Sequence, residues 1–478
     1  MFYPNREGYL KYAGDGCDIV PVYREILADV ETPVSVLQRF ADCENAFLLE
    51  SMEGGENWGR YSFVGIDPEL LLETDHSAGR NSELEALRDI YCNLKVAELP
   101  ELPRFFGGAV GFVSYDAIGE FEDMPLPRDG AVRSCSRFLK ADKLIVFDNV
   151  RHTIKIVFCT RPADAESFDA AYDAALAQIE QIAEQIPQYQ AEMPQKYPTV
   201  AFESNMSRDA YKAMVARAKE YIVEGDIIQV VLSQRFSAES EVPPIQLYRA
   251  LRLMNPSPYT FFLKIGEQVL VGSSPEVMVR LTGSRVEVRP IAGTRPRGGS
   301  EQEDRTLADG LLSDSKEKAE HVMLVDLGRN DIGRIAEPGS VQVTEYMVIE
   351  RYSHVMHMVS HVEGVLRAEF DAYDVLKATF PAGTLSGAPK IRAMEIIREL
   401  EPTARGAYGG ALGYISYTGN MDMAITIRTL EVENGRVAVQ AGAGIVYDSD
   451  PDSEYDETCH KSRGMQKAVE LAVNGLEL

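Results

Sequence analysis

Hydrophobic positions recur at two different spacings along the chain. In ADAESFDAAYDAALAQIEQIAEQI, residues 163–186, Ala, Leu and Ile return every three or four positions, which predicts one helix. Arg208–Glu224 repeats that spacing behind Ser207, whose hydroxyl suits a helix start. Further helical stretches are expected at 316–328 and 388–399. Elsewhere, short apolar runs bounded by turn residues read as strands. In the first part of the chain these are AFLLES, YSFVGI, GGAVGFVSY, LIVFDN and IKIVFC. In the second they are IIQVVLSQRF, VLVGSSPEVMVRL, RVEVRPIAGT, HVMHMVSHVEGVL, GGALGYISY, MAITIRTLEV and VAVQAGAGIVY. So many strands with helices between them predict a large mixed α+β sandwich.

Periodicity is lost at 187–200, PQYQAEMPQKYPTV, which holds three Pro and three Gln and reads as a linker. It divides the chain into 1–186 and 201–478, both of ordinary domain size.

Charge then narrows the partners. The 478 residues carry a net charge of −26 and no run of Lys or Arg. A nucleic-acid or anionic-membrane surface needs the opposite sign, so neither is expected. No apolar run reaches transmembrane length, and MFYPNREGYLKY does not resemble a secretory leader. The six cysteines, at 17, 43, 92, 135, 159 and 459, form no CxxC motif. They read as free thiols of a cytoplasmic protein.

Four constellations offer chemistry. Glu317 and Glu320, and Glu454 and Glu457, are carboxylate pairs one helical turn apart. Such pairs are either solvated helix faces or a site for a hard divalent cation such as Mg²⁺; the same spacing at Glu53 and Glu56 shows how little spacing alone decides. PIAGT (290–294), PAGTLSGAPK (381–390) and QAGAGIV (440–446) set small residues at strand ends, as plain turns or as backbone cradles for an anion. Thr294, Thr384, Ser386 and Lys390 add polar groups there. Arg428, inside MAITIRTLEV, reads as a half-buried strand residue needing a carboxylate partner, from the protein or from a substrate. His354, His357 and His361 suggest zinc, but a strand sends 354 and 357 to opposite faces. His357 or His361 then remains as a candidate general base.

Taken in order, GDIIQVVLSQRF, NPSPYTFFL, GSSPEVMVRL, PIAGTRPRG, KEKAEHVMLVDLGRNDIGRI, VMHMVSHVEG, TFPAGTLSGAPK, YGGALGYISY, AITIRTL and QAGAGIVYDSDPDSEYDET resemble the chorismate-utilising enzymes. Within these they are most similar to the anthranilate synthase component I family. The likeness covers about 205–470, and FLLES (47–51) and GRYSFVG (59–65) resemble that family's regulatory part. The resemblance implies a fold of two large antiparallel sheets sandwiched with helices, plus a smaller N-terminal α/β regulatory region. It implies Mg²⁺ held by Glu320 and Glu457 with Glu317 and Glu454 nearby. It implies chorismate contacts from Gly293, Thr294, Tyr408, Arg428 and the backbone of Gly442, Ala443 and Gly444, with Thr384 and Lys461 in the same pocket. By the same resemblance Glu276 is the general acid and His357 the base. Glu50 and Ser51, with Pro258, Tyr259 and Thr260, resemble the two walls of an inhibitory L-tryptophan site.

Two positions discriminate within the family. Gln229 stands where isochorismate and salicylate synthases carry a water-activating Lys. An amide cannot act as a base, so ammonia is the expected nucleophile. Ala292 stands where aminodeoxychorismate synthases often carry Lys. Aminodeoxychorismate synthase component I is the alternative enzyme, and a non-catalytic chorismate or tryptophan sensor the alternative of another class. The chain contains no glutamine amidotransferase stretch. Ammonia from glutamine is therefore expected from a separate amidotransferase subunit, in a hetero-oligomer.

Overall fold

The structure, a computed structural model, describes residues 1–28, 30–51, 59–75, 83–124, 135–186, 193–352 and 355–477. Glu53, Glu56 and His354, and positions 187–192 of the expected linker, lie outside these residues.

Helix starts follow their caps. Arg208–Glu224 forms as expected: Ser207 accepts from the Ala210 amide, and Gly225, at φ 87°, closes the other end. The helix expected from 163 begins at Phe168 instead. A 3₁₀ turn over Pro162–Asp164 precedes it, and Ser167 caps the true start by accepting from Ala170. The stretch at 316–328 lies within the helix Ser315–Gly333; that expected at 388–399 begins at Lys390 instead, after Pro389, and runs to Leu400, with Ala388 in a short strand.

The strands form two antiparallel sheets, of 13 and 10 strands among the described residues. In the larger, Asn45–Glu50 pairs with Tyr259–Ile265, and this with Gln268–Ser274. The order continues through Thr429–Glu433 and Arg436–Ile445 to Gln229–Glu239. In the smaller, Gly108–Val113 pairs with Ala411–Ser416, followed by Met421–Ile425, Val277–Thr282, Arg285–Val288 and Val355–Val365. Segments from both sides of 187–200 thus contribute strands to both sheets.

The larger sheet is buried on both faces, which is why its strands read as continuous apolar runs. Phe47, Phe261 and Leu263 face the smaller sheet; Leu48 and Phe262 face the helices Phe168–Gln185, Pro244–Met254 and Pro451–Val473. Each fully buried Phe contributes about 1.5–3 kcal/mol of apolar transfer energy.

Three runs read as single strands are broken, and two of the breaks, where the chain changes sheet, build the site. VLVGSSPEVMVRL splits into Gln268–Ser274 and Val277–Thr282, in different sheets. Pro275 has no amide to continue the ladder, so Glu276 lies at the crossing. MAITIRTLEV splits likewise into Met421–Ile425 and Thr429–Glu433. Arg428 is therefore not an alternating strand residue but a left-handed one, at φ 49°, where the second crossing occurs. RVEVRPIAGT also divides, into Arg285–Val288 and Ile291–Pro296.

Candidate active site

The two crossings open on a cleft of about 810 Å³, which gathers residues from widely separated stretches of sequence. Gln229, Glu276, Ala292, Gly293, Thr294, Glu317, Glu320, His357, Thr384, Tyr408, Arg428, Gly442, Gly444, Glu454, Glu457 and Lys461 all line it.

Glu276 is the most perturbed acid of the cleft. Burial pushes its carboxyl up to about 8, against the opposing pull of the Thr384 hydrogen bond and of the Arg428 and Lys461 charges. The Thr384 hydroxyl donates to Glu276 Oε1 at 3.0 Å. A carboxyl so placed keeps its proton at neutral pH and can act as an acid.

His357, on the strand Val355–Val365, has the opposite bias. Burial is the largest cause of its lowered pKa, and Arg428 adds to it. Its Nδ1 lies 3.1 Å from the Gly293 carbonyl and 3.1 Å from the Thr294 hydroxyl. A carbonyl only accepts, so the first contact places the proton on Nδ1 and leaves the Nε2 lone pair to take one up.

Gly442 and Gly444 alternate along Arg436–Ile445, bringing bare backbone to the wall. A Cβ at 442 would lie 2.8 Å from the Tyr408 hydroxyl, and one at 444 would lie 2.7 Å from Gln229 Nε2. Any larger side chain would displace those groups. Ala443, expected to contribute its backbone, sends its side chain the other way by strand alternation, fully buried in the core. Lys461 donates to the Gly442 carbonyl at 2.9 Å and pairs with Glu457 at 2.8 Å.

The four glutamates come from two helices, Ser315–Gly333 and Pro451–Val473. Glu320 is raised by burial first, then by the charges of Glu317 and Glu457. Glu454 is raised by burial and by Glu457, with a Ser449 hydrogen bond opposing. Glu317 meets Arg295 at 3.2 Å. Four carboxylates, two of them buried and facing like charges so that they hold their protons more tightly, make an oxygen donor set that fits a hard divalent cation. Among the described residues, the trio whose potential ligand atoms lie within 4.8 Å of one another is instead Glu287, His361 and Glu363. It lies outside the cleft, with Arg285 paired to Glu363 and to Glu287. His361, the alternative base, is thus turned to Glu287 at 3.0 Å rather than to the cleft.

A second pocket, of about 450 Å³, takes in Glu50, Ser51, Pro258, Tyr259 and Thr260 together. Thr260 lies opposite Glu50 in the strand register. The Glu50 carboxylate is taken by the Tyr248 hydroxyl and by Arg252 Nε, the latter at 2.9 Å. Its charge is thus already compensated within the protein. Arg280 and the Tyr259 hydroxyl converge on Asp422 in the same pocket, both at 2.8 Å.

Residues 44–467 match the chorismate binding enzyme family. Anthranilate synthase component 1 of Pseudomonas aeruginosa is 46% identical over 497 residues, covering 99% of this chain and 100% of that one. The chain belongs to the chorismate-binding enzymes, in the anthranilate synthase component I family. The crystal structure of anthranilate synthase component I from Streptococcus pneumoniae TIGR4 is 38% identical, with a TM-score of 0.77 over 92% of this chain and 99% of that one. The menaquinone-specific isochorismate synthase of Escherichia coli shares the fold at 20% identity, with a TM-score of 0.71 over 97% of this chain and 98% of that one.

For a chorismate-binding enzyme, sequence reasoning passed over several lining residues. Asn255, Lys316, Gln440 and His460 also face the cleft. Gln440 was findable, since it precedes Gly442 and Gly444 at the same two-residue alternation. His460 follows Glu457 by one helical turn. Lys390, singled out beside the glycines, pairs with Asp331 at 2.7 Å and is not a lining residue. The Ser386 hydroxyl donates to the Ala382 carbonyl at 3.0 Å.

Proposed function

We propose that the cleft converts chorismate and ammonia to anthranilate, pyruvate and water, with Mg²⁺ as cofactor, at the entry to tryptophan biosynthesis. The observation that carries this reading is the pairing of opposite tendencies around Arg428: Glu276 held protonated and His357 held neutral. An acid and a base whose environments push them apart are what a two-stage elimination needs.

In this reading Arg428 and the backbone of Gly442 and Gly444 hold one substrate carboxylate. Glu317, Glu320, Glu454 and Glu457 would hold Mg²⁺, which when bound neutralises the glutamates and polarises the ring carboxylate. Ammonia forms its bond to ring C2 as the diene shifts and the C4 hydroxyl departs. Glu276 gives that hydroxyl its proton, so it leaves as water. His357 Nε2 then removes the C2 proton, the ring becomes aromatic, and the C3–oxygen bond breaks to release pyruvate. Gln229, buried and without basicity, leaves water unactivated, and Ala292 offers no amine to the ring.

Residues 1–186 serve as the regulatory part and 201–478 as the catalytic part, joined through 187–200. L-tryptophan binds the second pocket, where Pro258 and Tyr259 pack its indole and Ser51 meets its polar atoms. With Glu50 engaged by Arg252, backbone carbonyls take the ammonium. A separate amidotransferase subunit supplies ammonia from glutamine in the cytoplasm. The test is turnover of chorismate by the purified chain with Mg²⁺ and ammonium salt. Equal yields of anthranilate and pyruvate support the reading. An aminated product without pyruvate would assign the chain to the aminodeoxychorismate alternative, and no consumption would leave a sensor.

A further inference from the structure

Behind the cleft wall lies a guanidinium that hydrogen-bonds to two of its segments and stands over the ring of a third. Arg405 is 2% exposed and follows the helix Lys390–Leu400. Its Nη1 donates to the Leu385 carbonyl at 2.6 Å, and its Nη2 to the Val231 carbonyl at 2.7 Å. Nε and Nη2 also donate to the two oxygens of Glu401, at 2.9 and 2.7 Å. Glu401 in turn accepts from the amide and the hydroxyl of Ser233, at 2.8 and 2.7 Å. The guanidinium carbon stands 4.5 Å from the Tyr115 ring centre and 5.6 Å from that of Tyr408.

Three of these partners belong to the cleft wall. Leu385 follows Thr384, whose hydroxyl bonds Glu276. Val231 lies two positions beyond Gln229 on the same strand. Tyr408 lines the cleft itself.

We infer that Arg405 is a positioning residue: it fixes Thr384 against Glu276, and Tyr408 and Gln229 around it, without touching substrate. The inference rests on the catalytic reading given above. The residue type is informative. Compensating the buried Glu401 charge needs only a cation, which Lys supplies. Binding two carbonyls from different elements and a carboxylate at once needs the planar fork of Arg.

The test compares wild type, R405K, T384V and the double variant in ammonia-driven turnover, with thermal melts to confirm folding. Wild-type turnover comes first, so failure of the catalytic reading is seen separately. R405K is expected to lower kcat about 10–100-fold, since small misplacements of reacting groups cost that much, with KM for chorismate within about threefold. On the T384V background the same change should cost far less, because its main route of action is already gone. The crystal structure of R405K, which needs no activity, should show the Thr384 hydroxyl out of hydrogen-bond reach of Glu276. Wild-type kcat in R405K, losses that multiply with T384V, or an unmoved Thr384 would each overturn the inference. If R405K does not fold, E401Q takes its place: it keeps the guanidinium but removes the charge that anchors it. Non-additivity with T384V would then support positioning, and additivity would overturn it.

Discussion

Glu276 and Arg428 occupy two of the points at which the chain passes from one sheet to the other, and each is tied by its carbonyl to the other's crossing. The Ile425 amide donates to the Glu276 carbonyl at 3.0 Å, and the Ser273 amide to the Arg428 carbonyl at 3.1 Å. An acid and a cation held by the backbone of two packed sheets need little reorganisation when charge develops between them.

The Glu276 carboxyl, pushed up to about 8, gives turnover an alkaline limit. The acid form is present below that value, so kcat should fall as pH rises through about 8. Glu276→Gln should lower kcat about 10²–10⁴-fold, the usual worth of a general acid. The stability this carboxyl contributes also falls with rising pH. A carboxyl raised on folding contributes most below its ordinary value of 4.5 and loses that contribution as pH rises to about 8. Glu276→Gln should therefore gain stability relative to wild type between pH 5 and pH 8, measured by thermal melts.

His357, held neutral, should separate the two stages. His357→Ala should still aminate chorismate and accumulate an aminated, pyruvyl-bearing intermediate, seen by quenched-flow mass spectrometry. Since His357 is lowered by burial, the acidic limb of the wild-type pH profile should lie below the ordinary imidazole value. A folded variant that makes anthranilate without an intermediate would remove the assignment.

These two residues also show what could be read in advance. Their types and their place among glycine-rich strand ends were legible, but the strand breaks were not. Nothing local distinguishes Arg428 as left-handed, because the crossing depends on which sheet each half joins. Alternation, by contrast, is local, and it turns the Ala443 side chain into the core while Gly442 and Gly444 face the wall. The Ser207 cap was legible for the same reason. Glu50 shares a pocket with Ser51, Pro258, Tyr259 and Thr260 as their grouping in the sequence implies, but its partner Arg252 is 202 positions away and leaves no local signal. Arg405 reads in sequence as one more charged residue, and its role exists only once Leu385, Val231 and Tyr408 converge.

Chelator should abolish turnover and Mg²⁺ should restore it. Glu320→Gln and Glu457→Gln should each be inactive yet folded. In chelator, Glu320→Gln should melt no lower than wild type, because it removes one of a set of repelling charges. Full activity in excess chelator would end the metal assignment.

Tryptophan should inhibit from the second pocket, with a coupling on the order of 1–3 kcal/mol. Ser51→Phe fills that pocket and should abolish inhibition while leaving ammonia-driven turnover nearly intact. Calorimetry should find tryptophan binding lost in this variant. Inhibition that competes at Arg428 would place the inhibitor in the cleft instead.

The central claim is that this cleft adds ammonia to the ring carbon beside the carboxylate and then expels pyruvate. Turnover of chorismate with ¹⁵N-ammonium, followed by NMR of the product, tests it directly. The account predicts ¹⁵N on the carbon ortho to the carboxylate of an aromatic product, with one pyruvate released per label incorporated. Label on the para carbon of a non-aromatic product that retains its pyruvyl group, or a hydroxylated product without label, would contradict it.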